Sequence, residues 1–200
     1  AQDHLPVEII VIDDGSEDNT RKVVGSYGKR VRYVYQANMG VSAARNRGVS
    51  EAISEWIAFL DSDDYWLPQH LSNIVSAIRD TNGRASLYFS DMMRSQEEGG
   101  DSLWELCRFP VTGPFLFKND ASEWAFMRIQ PFMLQSSVIR KEAYRQSGGL
   151  PENMLTREDT FLFYKLALHY PACAIFGCGT IMTSDGTQRL TRIYGGYNLV

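Results

Sequence analysis

The sequence predicts an α/β protein: an open sheet with helices on its faces. Two observations carry that expectation. Short apolar, β-branched runs alternate with segments of helical pattern through about residue 92. Two of those runs, "VEIIVIDD" and "EWIAFLDSDD", also end in clustered carboxylates. In open α/β sheets the carboxyl ends of strands border the ligand crevice.

Val7 to Ile12 is the kind of apolar run that fills a buried parallel strand, and it ends at Asp13, Asp14 and Gly15. Ser16 is placed to cap a helix with an acidic first turn, Glu17 and Asp18, that stops near Gly25 or Gly28. "RVRYVYQ" alternates as a second strand. "VSAARNRGVSEAI", rich in small residues, reads as a helix packed close to a neighbour. "EWIAFL" is the next buried strand, and Pro68 suits the first position of the helix "PQHLSNIVSAI". "ASLYFSDMM" is one more strand. Residues 93–130 carry "EEGGD", two prolines and several aromatics, and read as a long connection or flap outside the core. Regularity returns with a strand and short helix in "SSVIRKEAYRQSGG". "REDTFLFYKLALHY" is apolar on nearly every face after its first turn, which predicts a buried helix.

Two hundred residues suit one domain and can bury roughly 70% of the unfolded chain's surface. With 44% hydrophobic and 22% charged residues the composition is that of an ordinary soluble globular protein. A formal net charge of -4 gives no electrostatic footprint for nucleic acid. No apolar run approaches the ~18 residues of a transmembrane segment and no signal peptide stands at the front, so the expectation is a soluble, cytoplasmic protein. Cys107, Cys173 and Cys178 are too few and wrongly spaced for a zinc site and read as buried free thiols. His4, His70 and His169 form no ligand pattern. The G-x-S-x-G, G-x-x-x-x-G-K-[ST] and G-x-G-x-x-G motifs are absent.

The acidic strand ends are the chemically loaded places. If the two strands are near neighbours, Asp13, Asp14, Asp61, Asp63 and Asp64 line one crevice, and five like charges there require a cation. Hard oxygen ligands favour magnesium or manganese over zinc. An EF-hand loop is excluded. Begun at Asp61 it puts Trp66 where glycine is needed and Ser72 where glutamate is needed; begun at Asp14 it puts Asn19 and Gly25 there. A metal held by one or two carboxylates shares its other positions with water and substrate phosphates, which points to a nucleotide or sugar phosphate. A third acidic place, Glu158 and Asp159 in "TREDTF", begins the apolar helix. It serves either as a cap and dipole partner or as a general base toward an attacking hydroxyl.

In order, "VEIIVIDDGSEDNT", "NMGVSAARNRGV", "FLDSDDYWLP" and "GGLPENMLTREDTFLFYKLAL" resemble the inverting, metal-dependent nucleotide-sugar glycosyltransferases of the GT-A fold, family 2 type. The resemblance implies a Rossmann-like, open mixed sheet flanked by helices. Residues 1–92 would form the nucleotide-binding half and 93–200 the acceptor-binding half of one catalytic domain. It implies that Asp13 and Asp14 contact the nucleoside, that Arg45 lies by the nucleotide, and that Asp61 lies near the ribose. Asp61 and Asp63 form the D-x-D motif and are the implied metal residues, with Asp63 binding the Mn2+ or Mg2+ that bridges the diphosphate. Asp159 would be the base and Glu158 its support or a contact to the acceptor, a sugar, lipid-linked or protein hydroxyl. The setting it suggests is cell-surface polysaccharide or glycolipid synthesis, with peripheral attachment at the inner membrane face open.

Relatives normally begin with a strand of the type "VSVIIPxYN" and a helix. This chain starts at "AQDHLP", the tail of that helix, so the first strand and helix, about 25 to 30 residues, are expected to be lacking. That strand would be central, and its loss would leave strand edges unpaired. Processive synthases of the family carry Q-x-x-R-W; "TQRLTRIYGG" has Gln188, Arg189 and Arg192 without that pattern, which favours transfer of single sugars. For Arg189 and Arg192 a solvated surface place is expected, with closure over the diphosphate the alternative. Trp56 reads as core; Trp104 and Trp124 lie in the irregular segment and are assigned no role, acceptor contacts being open there. A non-catalytic nucleotide-sugar-binding domain of the same fold and a nucleotidyltransferase are the other readings. The presence of Asp61, Asp63 and Asp159 together speaks against the first, and the acidic helix start against the second.

Overall fold

The computed structural model describes residues 1–95 and 100–183. Strand and helix alternate first: β1 (Ile10–Asp14), α1 (Thr20–Gly25), β2 (Arg32–Gln36), α2 (Val41–Glu51), β3 (Trp56–Ala58), β4 (Tyr65–Trp66), α3 (His70–Asp80) and β5 (Leu87–Arg94). The rest runs α4 (Leu103–Cys107), β6 (Phe115–Lys118), α5 (Ser122–Ala125), β7 (Ser137–Arg140), α6 (Lys141–Gln146), α7 (Glu158–His169) and β8 (Ala172–Met182).

These strands form two sheets. β1 and β2 pair in parallel; the other six strands follow the order β3-β7-β5-β8-β4, with β6 also on β8. Only β5 and β8 are parallel in the larger sheet, so it is mixed, and helices flank it as expected. Among the described residues β1 and β3 each pair on one side only, and not with each other. Glu8 links the two regions. Its carboxylate accepts from Ile53 N (2.7 Å), Ser54 N (3.0 Å) and Ser54 Oγ (3.0 Å), just before β3.

The central strand β5 shows how the layers form. Successive side chains of a strand face opposite ways. Leu87 and Phe89 enter one apolar cluster, and Tyr88 enters another against Ile74 and Ala77 of α3. Phe89 is surrounded by Trp104 (5.9 Å between ring centroids), Phe109 (5.9 Å), Trp124 (5.6 Å) and Phe132 (4.7 Å), mostly edge-on.

That cluster overturns one expectation. Residues 93–130 are not a flap outside the core: α4, β6 and α5 lie there, and Trp104 and Trp124 are buried. Rings of that size are driven under the sheet by their own apolar area. Other boundaries shift. α1 begins at Thr20 rather than after Ser16, because Ser16 N bonds back to Asp13 and Asp18 accepts from Thr20 N. Pro68 lies in the turn before α3. β6 and β8 were not anticipated. Trp56 is half-buried, edge-on to Tyr88 at 5.4 Å and under the Arg140 guanidinium at 4.3 Å. All three cysteines are free; Cys173 is buried, Cys107 and Cys178 partly so.

Candidate functional site

After β3 the chain turns sharply, Asp64 N bonding Asp61 O at 3.2 Å, and the turn gathers Asp61, Asp63 and Asp64 so that their carboxylate oxygens lie within 4.8 Å of one another. Asp64 is buried, the other two partly. Like charges this close raise one another's energy unless opposed. For Asp61 the opposing charge is Arg45. One guanidinium nitrogen, Nη2, donates to both its oxygens at 2.8 and 2.9 Å, and Gln135 Nε2 adds a third bond at 2.5 Å. Asp64 accepts from Thr183 N at 3.0 Å.

The donor set fits a hard divalent cation. Ligand distances of about 2.0–2.1 Å for magnesium place opposite oxygens about 4.2 Å apart, so carboxylates within 4.8 Å need only small rotations to close on one. Asp61, Asp63 and Asp64 are the residues that could hold it.

Arg45 reaches further. It projects from the middle of α2, and its Nη1 donates to Glu158 Oε1 at 3.0 Å. One guanidinium thus joins the acidic loop after β3 to the start of α7, with Arg45 itself 113 positions from Glu158 in sequence. Burial works against the charge on Arg45, but Asp61, then Glu158 and Asp159, outweigh it and raise its pKa. Burial also pushes the Glu158 carboxyl up, Asp159 beside it adds to that, and Arg45 pulls the other way. Asp159 lies in the first turn of α7, partly buried, its Oδ1 accepting Thr160 N at 2.7 Å. The helix N-terminus has no side-chain cap; Arg157 before it is left-handed, with φ 63°. Asp159 thus answers one first-turn N–H, as an acid at a helix start does, while Glu158 turns to Arg45.

The first acidic strand end is different. Asp13 is buried and accepts Ser16 N (2.8 Å) and Tyr33 Oη–H (2.5 Å); the tyrosine bond foremost lowers its pKa. Asp14 accepts Gln36 Nε2 (2.8 Å), Met39 N (2.9 Å) and Gly40 N (2.8 Å), tying down the segment that leads into α2. Gly15 must stay small: its φ is 83°, and a Cβ would sit 2.8 Å from Asn38 N. The two clusters do not merge into one metal-ligating group: among the described residues only Asp61, Asp63 and Asp64 bring carboxylate oxygens within 4.8 Å of one another, and β1 and β3 lie in different sheets.

Sequence reasoning missed Gln135, Thr180 and Thr183, none of which stands in a patterned stretch. Trp104 and Trp124, to which the sequence assigned no role, are core residues. Arg189 and Arg192 lie outside the described residues.

Comparison with known proteins bears on the fold and the family. In fold, the chain is similar to S. aureus TarS 1–349 in complex with UDP-GlcNAc, with a TM-score of 0.79, 20% identity, and 98% of this chain matched to 54% of that one. The same protein in complex with UDP gives 0.73, at 19% identity over 96% of this chain and 55% of that one. The fold is accordingly GT-A. In sequence, the uncharacterized glycosyltransferase alr2836 of Nostoc sp. (strain PCC 7120) is 33% identical over 152 residues, 70% of this chain and 45% of that protein. The uncharacterized glycosyltransferase YibD of Escherichia coli (strain K12) is 45% identical over 65 residues, 31% of this chain and 19% of its own length. The chain thus spans less than half the length of these curated relatives. Among the described residues no helix is long and apolar enough to cross a membrane. Residues 1–144 match the profile of glycosyl transferase family 2, and the chain belongs to that family.

Proposed function

We propose that this domain binds a nucleoside-diphosphate sugar and transfers its single sugar, with inversion and with a divalent cation, to a hydroxyl of a sugar, lipid-linked or protein acceptor. The observation that carries the reading is Arg45. It holds Asp61 and Glu158 on one guanidinium, so the acidic loop and the neighbour of the base, Asp159, stand a single side chain apart. In-line displacement needs that arrangement: a base on one side of the anomeric carbon and charge stabilisation on the other.

Each residue then has a part. Asp159 takes the proton from the acceptor hydroxyl as its oxygen bonds to the anomeric carbon; the bond from that carbon to the diphosphate oxygen breaks, and its electrons leave with the diphosphate. Glu158, paired to Arg45, keeps the start of α7 in register with the loop after β3. Asp13, Asp14 and Asp61 border the nucleoside, and Asp63 and Asp64 are the residues to hold Mn2+ or Mg2+. Such an ion, when bound, supplies Lewis-acid stabilisation of the leaving diphosphate. Cell-surface polysaccharide or glycolipid synthesis is the proposed setting.

Calorimetric titration with UDP, GDP and dTDP, each with and without manganese, is the test. UDP comes first, since the TarS domain of the same fold is described in complex with it. The expected result is manganese-dependent binding of one nucleotide, weakened at least tenfold in Asp63→Ala. Equal binding by that variant, with unchanged metal dependence, would remove Asp63 from the cation site. Binding of no nucleotide by the folded protein would overturn the donor reading.

A further inference from the structure

Gln135 touches the acidic loop at both of its ends. It is the middle residue of a single 3-10 turn, Leu134–Ser136, that runs directly into β7. Its side-chain Nε2 donates to Asp61 Oδ2 at 2.5 Å. Its main-chain oxygen accepts two bonds, from Trp66 Nε1 at 2.6 Å and Thr180 Oγ1 at 3.0 Å. Trp66 and Thr180 are themselves partners across β4 and β8, and Thr180 is fully buried. The first residue of the stretch 61–66 is thus held by the Gln135 side chain and the last by its backbone.

The anchor is stiff. Leu134 and Ser136 on either side are almost wholly buried. The Trp66 ring lies 5.1 Å from the buried His70 ring, which rests on Gly179 so closely that an added Cβ would meet His70 Nδ1 at 2.1 Å. The side-chain bond also does something Arg45 cannot. Nη2 of Arg45 is shared almost equally between the two oxygens of Asp61, so it opposes the charge but leaves the carboxylate free to swivel about it. Gln135 binds Oδ2 alone and fixes that rotation.

We infer that Gln135 is a positioning residue of the donor site. It sets the orientation of the Asp61 carboxylate and the path of the loop, and so keeps Asp63 and Asp64 together for the cation. The inference rests on the transferase reading above.

Side-chain variants test it, because they leave the main-chain oxygen and its two bonds in place. Nucleotide binding with manganese would be measured calorimetrically for wild type, Gln135→Leu and Gln135→Glu, beside their melting temperatures. Loss of a hydrogen bond to a charged group predicts affinity roughly tenfold weaker in Gln135→Leu. Gln135→Glu, of the same shape but repelling Asp61, should be weaker still, and both should need more manganese for half-saturation. Melting temperatures should stay within a few degrees of wild type. Equal affinity in all three proteins would overturn the role of Gln135. So would losses that track melting temperature without the Leu-before-Glu order. If the wild type binds none of UDP, GDP and dTDP, it is the donor reading that fails, and Gln135 falls with it.

Discussion

The two acidic strand ends read alike in the sequence, yet the structure neutralises them by opposite means. Asp13 and Asp14 spend their lone pairs on nearby main-chain N–H groups and neutral side chains: Ser16, Met39 and Gly40 backbone, Tyr33 and Gln36. Asp61 is met by a buried cation from α2 and an amide from the turn before β7. The first arrangement is made by uncharged donors and shapes the loop that leads into α2. The second is built on a charge and places two more carboxylates beside a network that reaches α7. What separates the two carboxylate groups is therefore the charge of their partners, more than the number of acids.

The sharpest way to break that comparison is at the far end of the Arg45 network. Asp159→Asn keeps the shape of the helix start and removes the base. Transfer should fall by about 10²–10⁴-fold, the usual worth of a positioned base, while nucleotide affinity changes little. A steady-state assay beside calorimetry reads both. Retained transfer would return Asp159 to a helix-terminus role and leave the network without a catalytic end.

A smaller effect, of a different kind, is expected at the first cluster. Asp14→Ala strands the N–H groups of Met39 and Gly40 and the Gln36 amide, at a cost of about 2 kcal/mol in stability. For a chain of this length that lowers the melting temperature by roughly 4–8 °C. If Asp14→Ala instead melts like wild type, its bonds to the 36–40 segment are dispensable and the contrast between the two clusters fails.

How much of this was legible beforehand follows from what kind of pattern each feature leaves. Periodic elements leave one: β5 and α7 stand close to where their apolar spacing places them. Crowded acids leave one too, so Asp61, Asp63 and Asp64 were found. The stretch 93–130 was misjudged because its aromatics sit in elements of four or five residues, too short to show a period, and their burial is created by Phe89 on a different strand. Order of motifs suggested Arg45 and Glu158 separately, but only the fold shows one guanidinium serving both. A lone glutamine before a strand carries no signal at all. Gln135 acquires its role because β7 enters between β3 and β5, which brings the turn before it under the acidic loop.

Acid should separate the two regions with the smallest effect. His70 underlies Trp66, the anchor of the second cluster, and burial without any hydrogen-bond partner among the described residues brings its pKa down to about 4 from 6.5. The unfolded chain then takes up a proton that the native one refuses, so the stability His70 permits is whole above pH 6.5 and is lost as pH falls from 6.5 toward 4. Between pH 7 and 5.5 the loss is about 1 kcal/mol. Asp13 behaves in the other window. Its carboxyl lies below the ordinary value of 3.8, so its contribution is intact above that value and is lost only as pH falls further. Melting temperature followed from pH 7 to 5 should therefore decline in wild type and stay level in His70→Leu, once their values at pH 7 are subtracted. Over the same range Asp13→Asn should decline in parallel with wild type. A decline undiminished in His70→Leu would mean that another group carries the acid sensitivity, and that the ring beneath Trp66 is held by shape alone.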